Sequence, residues 1–415
     1  MKQSHSRRAF LKRASVGAAA AALTAASYRR VLGANDRIAI GIIGCGSRGR
    51  DAHMRGVNQH AKEQNIEITA VADPWRLRRD QAAALAAEWY GRPARMFVSC
   101  RDLLALKDVD AVMIASCDHQ HTTHLAAAAR AKKDAYCEKP LAMTLESLKA
   151  ACDAVKASGI VVQIGTQLRS FPSFTGCKEL YATGALGKVS RIEQCRNGSR
   201  PYWYGYLKEA NEADVDWREF LMDVPMRPFR ADLFTGWYGY REFSAGPVPG
   251  LGSHFIDLVH YITGAKFPSS AVCQGGTFTW KDEHGFTCPD QVEATWVYPE
   301  GFMVHYSTNF GNGGGNSLRI CGDQGVMDMV SWNAPVVSSE GAAKKGRLGK
   351  PEPVKPVERP DHFLDWLQCL RSRKAPNAPI DAGYQHAVAV IMAMTAFDTG
   401  RRQVYDAEKR EIREG

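Results

Sequence analysis

Arg37-Ile38-Ala39-Ile40-Gly41-Ile42-Ile43-Gly44-Cys45-Gly46-Ser47-Arg48-Gly49 decides how this chain folds. The β-branched apolar run predicts a strand, and three glycines spaced G-x-G-x-x-G follow it at once, where a helix is expected to open. In that context the first glycine allows a tight turn. The second lets the backbone approach a pyrophosphate, and the third lets helix and strand pack closely. The helix N-terminus offers its free N–H groups to the phosphates. A second apolar run, residues 66–73, ends in Asp73, placed to accept hydrogen bonds from ribose hydroxyls. A carboxylate there repels a 2′-phosphate, so NAD is favoured, while Arg76, Arg78 and Arg79 keep NADP open.

Working outward, residues 111–116, 135–137 and 161–165 read as further strands. Ala-rich stretches at 79–88, 122–131 and 145–157 read as helices between them. Strands alternating with helices predict a parallel, doubly wound sheet covered on both faces. After about Pro172 the pattern changes. Residues 174–183 look helical, and strands begin at 189–196. Val292, Ala294 and Trp296 alternate with Glu293 and Thr295, and Phe302, Val304 and Tyr306 alternate with Met303, His305 and Ser307. Strands continue at 318–321 and 326–330. Period-two alternation predicts an antiparallel sheet with one buried face and one available face. Residues 340–360, rich in Lys, Gly and Pro, predict an exposed loop. Helices at 361–371 and 382–399 close the chain.

The first residues are of a different kind. Ser6-Arg7-Arg8-Ala9-Phe10-Leu11-Lys12 reads as a twin-arginine export signal, followed by an Ala-rich run at 14–26. That run is shorter than the ~20 apolar residues that span a bilayer. Cleavage after Ser27 or Ala34 fits equally. Residues 1–34 hold seven basic residues and no acid, which reduces the formal charge of +9 to +2 for the remainder. The high pI therefore belongs to the leader and not to a nucleic-acid-binding face. No other apolar run is long enough to cross a membrane, so a soluble, periplasmic or otherwise exported protein is expected. Free nicotinamide cofactor is not expected there, so export with the nucleotide already bound is implied. The expected division is a leader at 1–34, a Rossmann domain at 35–157 and a substrate domain at 158–406. The eleven cysteines show no CxxC pair, and their odd count leaves room for one or two disulfides. His119, His121 and His124 lack the acid or cysteine that would complete a metal site, so no metal is expected.

Four pieces of sequence resemble the glucose-fructose oxidoreductase / inositol dehydrogenase / MocA family. They are the glycine turn, the stretch Ile114-Ala115-Ser116-Cys117-Asp118-His119-Gln120-His121, the motif Glu138-Lys139-Pro140-Leu141, and Gly252-Ser253-His254-Phe255-Ile256-Asp257. The likeness runs from about Arg37 to Asp406. It implies an N-terminal Rossmann domain and a C-terminal α/β domain with an open, mainly antiparallel sheet. It also implies that the cofactor meets Gly44, Gly46, Ser47, Arg48, Gly49, Asp73, Ser116, His121, Glu138, Lys139 and Gln167. Lys139, His254, Arg169 and Asp257 would meet the substrate, with Lys139 and His254 catalytic. A lysine partly desolvated beside a cationic nicotinamide has a lowered pKa and acts near neutrality. His254 and Asp257, three apart at a helix start, share a face. One departure stands out: many family dehydrogenases carry Asp four residues before this histidine, where this chain has Gly250.

Residues 197–250 are crowded with Tyr202, Trp203, Tyr204, Tyr206, Trp217, Trp237, Tyr238 and Tyr240. As a group they favour a carbohydrate ligand, although any one of them serves equally to pack an insertion onto the sheet. The reading is an exported oxidoreductase acting on a sugar or polyol hydroxyl through tightly bound NAD. The alternative is a glycosidase or lyase that uses transient oxidation, elimination and re-reduction. The open sheet offers a face for a homo-oligomer.

Overall fold

The computed structural model describes residues 36–244 and 246–415, so the expected leader lies outside the described residues. Six strands form the first sheet: β1 Ile38–Ile43, β2 Ile66–Ala72, β3 Arg95–Phe97, β4 Ala111–Ile114, β5 Asp134–Cys137 and β6 Val162–Ile164. They run in the order β3-β2-β1-β4-β5-β6, every neighbour parallel. Helices α1 Arg76–Tyr90, α2 His121–Arg130 and α3 Leu145–Ser158 supply crossovers. Because the strand order reverses between β1 and β4, the loops leaving those strands diverge. A crevice opens at their carboxyl ends, where such sheets bind ligands.

The second sheet has ten strands: β7 Val189–Cys195, β8 Ser270–Gly276, β9 Gln291–Tyr298, β10 Phe302–Asn309, β11 Ser317–Gly322, β12 Gly325–Asp328, β13 Val336–Ser338, β14 Glu352–Pro353, β15 Gln403–Asp406 and β16 Glu411–Glu414. It is antiparallel except where β7 lies parallel to β10. The alternation seen in the sequence is the pleat. Val292, Ala294, Trp296 and Tyr298 of β9 are buried, and Trp296 Nε1 donates to Ala389 O at 2.8 Å. Helices α4 Pro172–Ala182, α5 Ser253–Thr263 and α7 Ile380–Thr399 pack with the buried face. The opposite face is open: Val272, Val297 and Met303 remain 41–48% exposed.

The chain then doubles back. Helix α6, His362–Ser372, leaves the second sheet and buries Trp366, Leu367 and Leu370 against Ile40, Ile42 and Tyr136 of the first. Asp361 caps it, accepting from Phe363 N and Leu364 N. His362 locks it to β6: Gln163 Nε2 donates to His362 O at 2.6 Å, and His362 Nε2 lies 2.9 Å from Ile164 O. β6 completes the first sheet, α6 belongs to its core, and β16 carries the second sheet past 406.

Strands β3, β8, β13, β14, β15 and β16 escaped the sequence reading, β14 inside the stretch expected to be a loop. They are short, glycine-bearing or charged, and edge pairing rather than apolar patterning makes them strands. All eleven cysteines are unpaired, most of them separately buried in apolar layers, so the room left for disulfides is unused. No helix among the described residues is long and apolar enough to cross a membrane. Replacing Trp366, fully buried, with Ala is expected to cost about 3–5 kcal/mol. Denaturant unfolding checks this, and a loss under about 1 kcal/mol would mean that α6 is peripheral to the first core.

Candidate active site

The glycine turn has the geometry its spacing demands. Gly44 sits at φ +86°, and a Cβ there would stand 2.5 Å from Ser116 N. A Cβ on Gly49 would stand 1.9 Å from Gly44 O, so the third glycine is where helix and turn touch. A Cβ on Gly46 would meet nothing within 4 Å, so that position faces open space where a pyrophosphate can approach. The chain then winds as a π-type turn, Arg48–Met54, before one α-helical turn, Arg55–Asn58. Asp73 ties the turn down: Oδ2 accepts from Cys45 N at 2.7 Å and Oδ1 from Trp75 N at 2.8 Å. Each oxygen keeps a second lone pair for a ligand. Of the three nearby arginines, Arg76 pairs with Asp214, Arg79 bonds Asp73 O, and only Arg78 lines the cleft, stacked over Trp75.

That cleft holds about 520 Å³. Gly44, Gly46, Ser47, Arg48, Asp73, Ser116, His121, Glu138, Lys139 and His254 all line it. Glu138, at the end of β5, is buried. Burial alone would raise its pKa, but Arg48 and a hydrogen bond from His53 outweigh burial and hold the carboxyl well below the usual range. Arg48 Nε donates to it at 2.6 Å, and His53 Nε2 lies 2.9 Å away. Lys139 follows at once, and its Nζ donates to Gly250 O at 2.6 Å. Burial pushes the Lys139 amine down, against the pull of Glu138 and Asp118. His254, at the start of α5, is held well below its ordinary value by burial and then by Lys139, so it is neutral near pH 7. Its Nδ1 is buried without a partner.

A larger residue at position 250 would have to displace Tyr202. A Cβ there would stand 2.3 Å from the Tyr202 hydroxyl, which is itself without a partner. Where an acid would stand, this chain places a backbone carbonyl and a phenol.

Four expected site residues do not line the cleft. Gly49 packs the turn. Gln167 accepts from Arg48 Nη2 at 3.3 Å and so steadies the guanidinium. Arg169 and Asp257 are buried and paired with each other, Nε to Oδ2 at 2.7 Å, behind the cleft. Asp257 faces His386 of α7 at 3.8 Å rather than contacting His254. Shared helix face predicted a pair; the interior offered Asp257 a stronger partner. The three histidines are likewise engaged locally. His119 Nε2 lies 3.0 Å from Phe220 O, His121 bridges Ser116 O and Pro140 O, and His124 meets Ser116 Oγ.

Of the eight aromatics, only Tyr206, Trp237 and Tyr238 line the cleft; Trp237 and Tyr238 stack with centroids 3.7 Å apart. Trp203 and Tyr204 form one small core, and Trp217 and Tyr240 another. Asp118, also on the cleft, was passed over because it sits inside a motif read for its histidines.

A doubly wound nucleotide sheet, an open antiparallel sheet and a lysine–histidine pair between them define a two-domain dinucleotide-binding protein. The chain belongs to the glucose-fructose oxidoreductase / inositol dehydrogenase / MocA oxidoreductase family. Residues 38–166 match its NAD-binding Rossmann fold and residues 178–405 its C-terminal alpha/beta domain. It is similar to an inositol 2-dehydrogenase of Acidothermus cellulolyticus, 34% identical over 52% of this chain and 61% of that one. Inositol 2-dehydrogenase 3 of Saccharopolyspora erythraea is 32% identical over 45% of this chain and 54% of its own. These matches span about half the length of the curated relatives. Among solved structures, the aldose-aldose oxidoreductase of Caulobacter crescentus, complexed with glycerol, superposes with a TM-score of 0.67. It is 20% identical over 88% of this chain and 99% of that one, a likeness of fold. The open Gly46 cradle, the Asp73 carboxylate and the cleft are consistent with NAD.

Gly49→Ala is expected to force the turn apart and weaken NADH binding at least about tenfold. A fluorescence titration with NADH checks this; unchanged affinity would remove the turn from the nucleotide site.

Proposed function

We propose that this protein is an NAD-dependent oxidoreductase acting on a CH–OH group of a sugar or polyol. The observation that carries the reading is Lys139, a desolvated amine fixed by Gly250 O beside a neutral His254, in the same cleft as the glycine turn. Bound NAD supplies the hydride acceptor. Lys139 Nζ takes the hydroxyl proton, His254 orients the hydroxyl, and Arg48 and Glu138 hold the lysine's neighbourhood rigid. Tyr206 and Trp237 present aromatic surface to the C–H face of a ring-shaped substrate. The named relatives are dehydrogenases and oxidoreductases, so the elimination alternative gains no support from them.

The same reading holds that residues 1–34 are a twin-arginine leader and that the mature protein works outside the cytoplasm with NAD tightly held. It also holds that the open sheet face, with Val272, Val297 and Met303 exposed, meets a second copy of the chain.

Lys139→Ala is expected to lower turnover ~10²–10⁴-fold while NADH binding stays within a few-fold of the unmodified protein. The measurement is the rise in reduced-nicotinamide absorbance with a panel of sugars and polyols, alongside NADH titration of both proteins. Full activity in the variant would remove Lys139 from the chemistry.

A further inference from the structure

Accepting a proton at Lys139 Nζ creates an ammonium in a partly desolvated cleft, and such a charge needs an anionic partner. The carboxylates around the cleft are mostly committed. Glu138 is held by Arg48 and His53. Asp73 is held by two backbone N–H groups, and Asp51 by Arg50. Gly250 offers Lys139 only a carbonyl.

Asp118 remains. It opens the short helical turn Asp118–Gln120 after β4 and is 2% exposed, yet it lines the cleft with Lys139 and His254. Its Oδ2 is buried, and the polar group beside it is the Ser244 hydroxyl, which pulls the carboxyl down but makes no hydrogen bond of good geometry. A buried, unpaired carboxylate oxygen is costly unless a ligand or a charge completes it.

We propose that Asp118 is the carboxylate of this site's proton-handling set: it stabilises the ammonium that forms on Lys139 and accepts a hydrogen bond from a substrate hydroxyl through its free Oδ2. The proposal rests on the dehydrogenase reading just given. In the step it serves, the substrate O–H bond breaks and an N–H bond forms on Lys139. The C–H electron pair leaves with its hydrogen to the oxidised dinucleotide, and a C=O bond forms. Asp118 exchanges no atoms; it lowers the energy of the charge that Lys139 acquires.

Burial pushes the Asp118 carboxyl up to about 7 and Glu138 adds to the rise, while Lys139 and the Ser244 hydroxyl pull it down. Tyr202, Tyr206 and Tyr238 face it, each pushed up chiefly by burial and further by this carboxylate. The thiols of Cys117 and Cys288 also stand near. Lys139 is faced by Glu138 and Asp118, which favour its charge, and by Arg48, which opposes it. His254, His121 and His386 also feel the lysine.

Asp118→Asn keeps the shape and removes the charge. Losing a carboxylate lowers the Lys139 pKa further, so more of the amine is neutral at a given pH. In competitive acetylation of the full-length protein, read by mass spectrometry on the Lys139 peptide, the labelling curve is expected to move to lower pH. The alkaline rise of sugar or polyol oxidation is expected to move the same way. The plateau kcat should fall at least about tenfold, with NADH binding unchanged. If Asp118→Asn does not fold, Asp118→Ser carries the same readouts. Unchanged labelling and an unchanged pH profile would overturn the proposal. A fully active Lys139→Ala would overturn the dehydrogenase reading instead; an inactive Lys139→Ala beside a normal Asp118→Asn would overturn only the role of Asp118.

Discussion

The hydrogen bond from Lys139 Nζ to Gly250 O is the contact on which the site's arrangement depends. Its two ends belong to different domains: the lysine leaves β5 of the parallel sheet, and the carbonyl precedes α5 on the antiparallel one. A bond from a lysine amine to a carbonyl counts for more where water is scarce. Both ends are also braced. Glu138, next to the lysine, is clamped by Arg48 and His53, and the Gly250 N–H donates to Gly246 O at 2.9 Å. The amine is thereby held at a fixed place in the cleft before any ligand arrives.

That bracing works because the two domains share apolar packing rather than touching at a polar seam. One buried cluster runs from Ile114 and Leu125 of the first domain to Trp296 and Met392 of the second. Helix α6 reinforces it by returning from the second domain to the first, where Trp366 stacks edge-on to Tyr136. Native packing resists small displacements, so the positions of Lys139 and His254 relative to the glycine turn are set by the whole interface.

Much of this was legible in the chain. The strand before Gly44, the glycine spacing and the period-two alternation of β9 and β10 each follow from local chemistry, and each appears where the residues place it. Ten expected site residues, from Gly44 to His254, do line one cleft. The failures share a cause. The resemblance places Arg169 and Asp257 toward the substrate, but burial of either charge demands the other, and the two pair in the interior. Asp257 and His254 share a helix face, yet helical spacing says nothing about which neighbouring element supplies a better partner. The aromatics of 197–250 were a composition without an address; folding sends most of them into small cores and leaves Tyr206, Trp237 and Tyr238 on the cleft.

Residue order alone set the class of fold and the nucleotide turn, because strand patterning and glycine spacing act over a few residues. Folding decided which acids face Lys139, that Gly250 meets its amine through a backbone carbonyl, and where α6 packs. Those depend on groups brought together from distant parts of the chain. There, burial makes every unpaired charge costly, and the winning partner is the one the fold can reach.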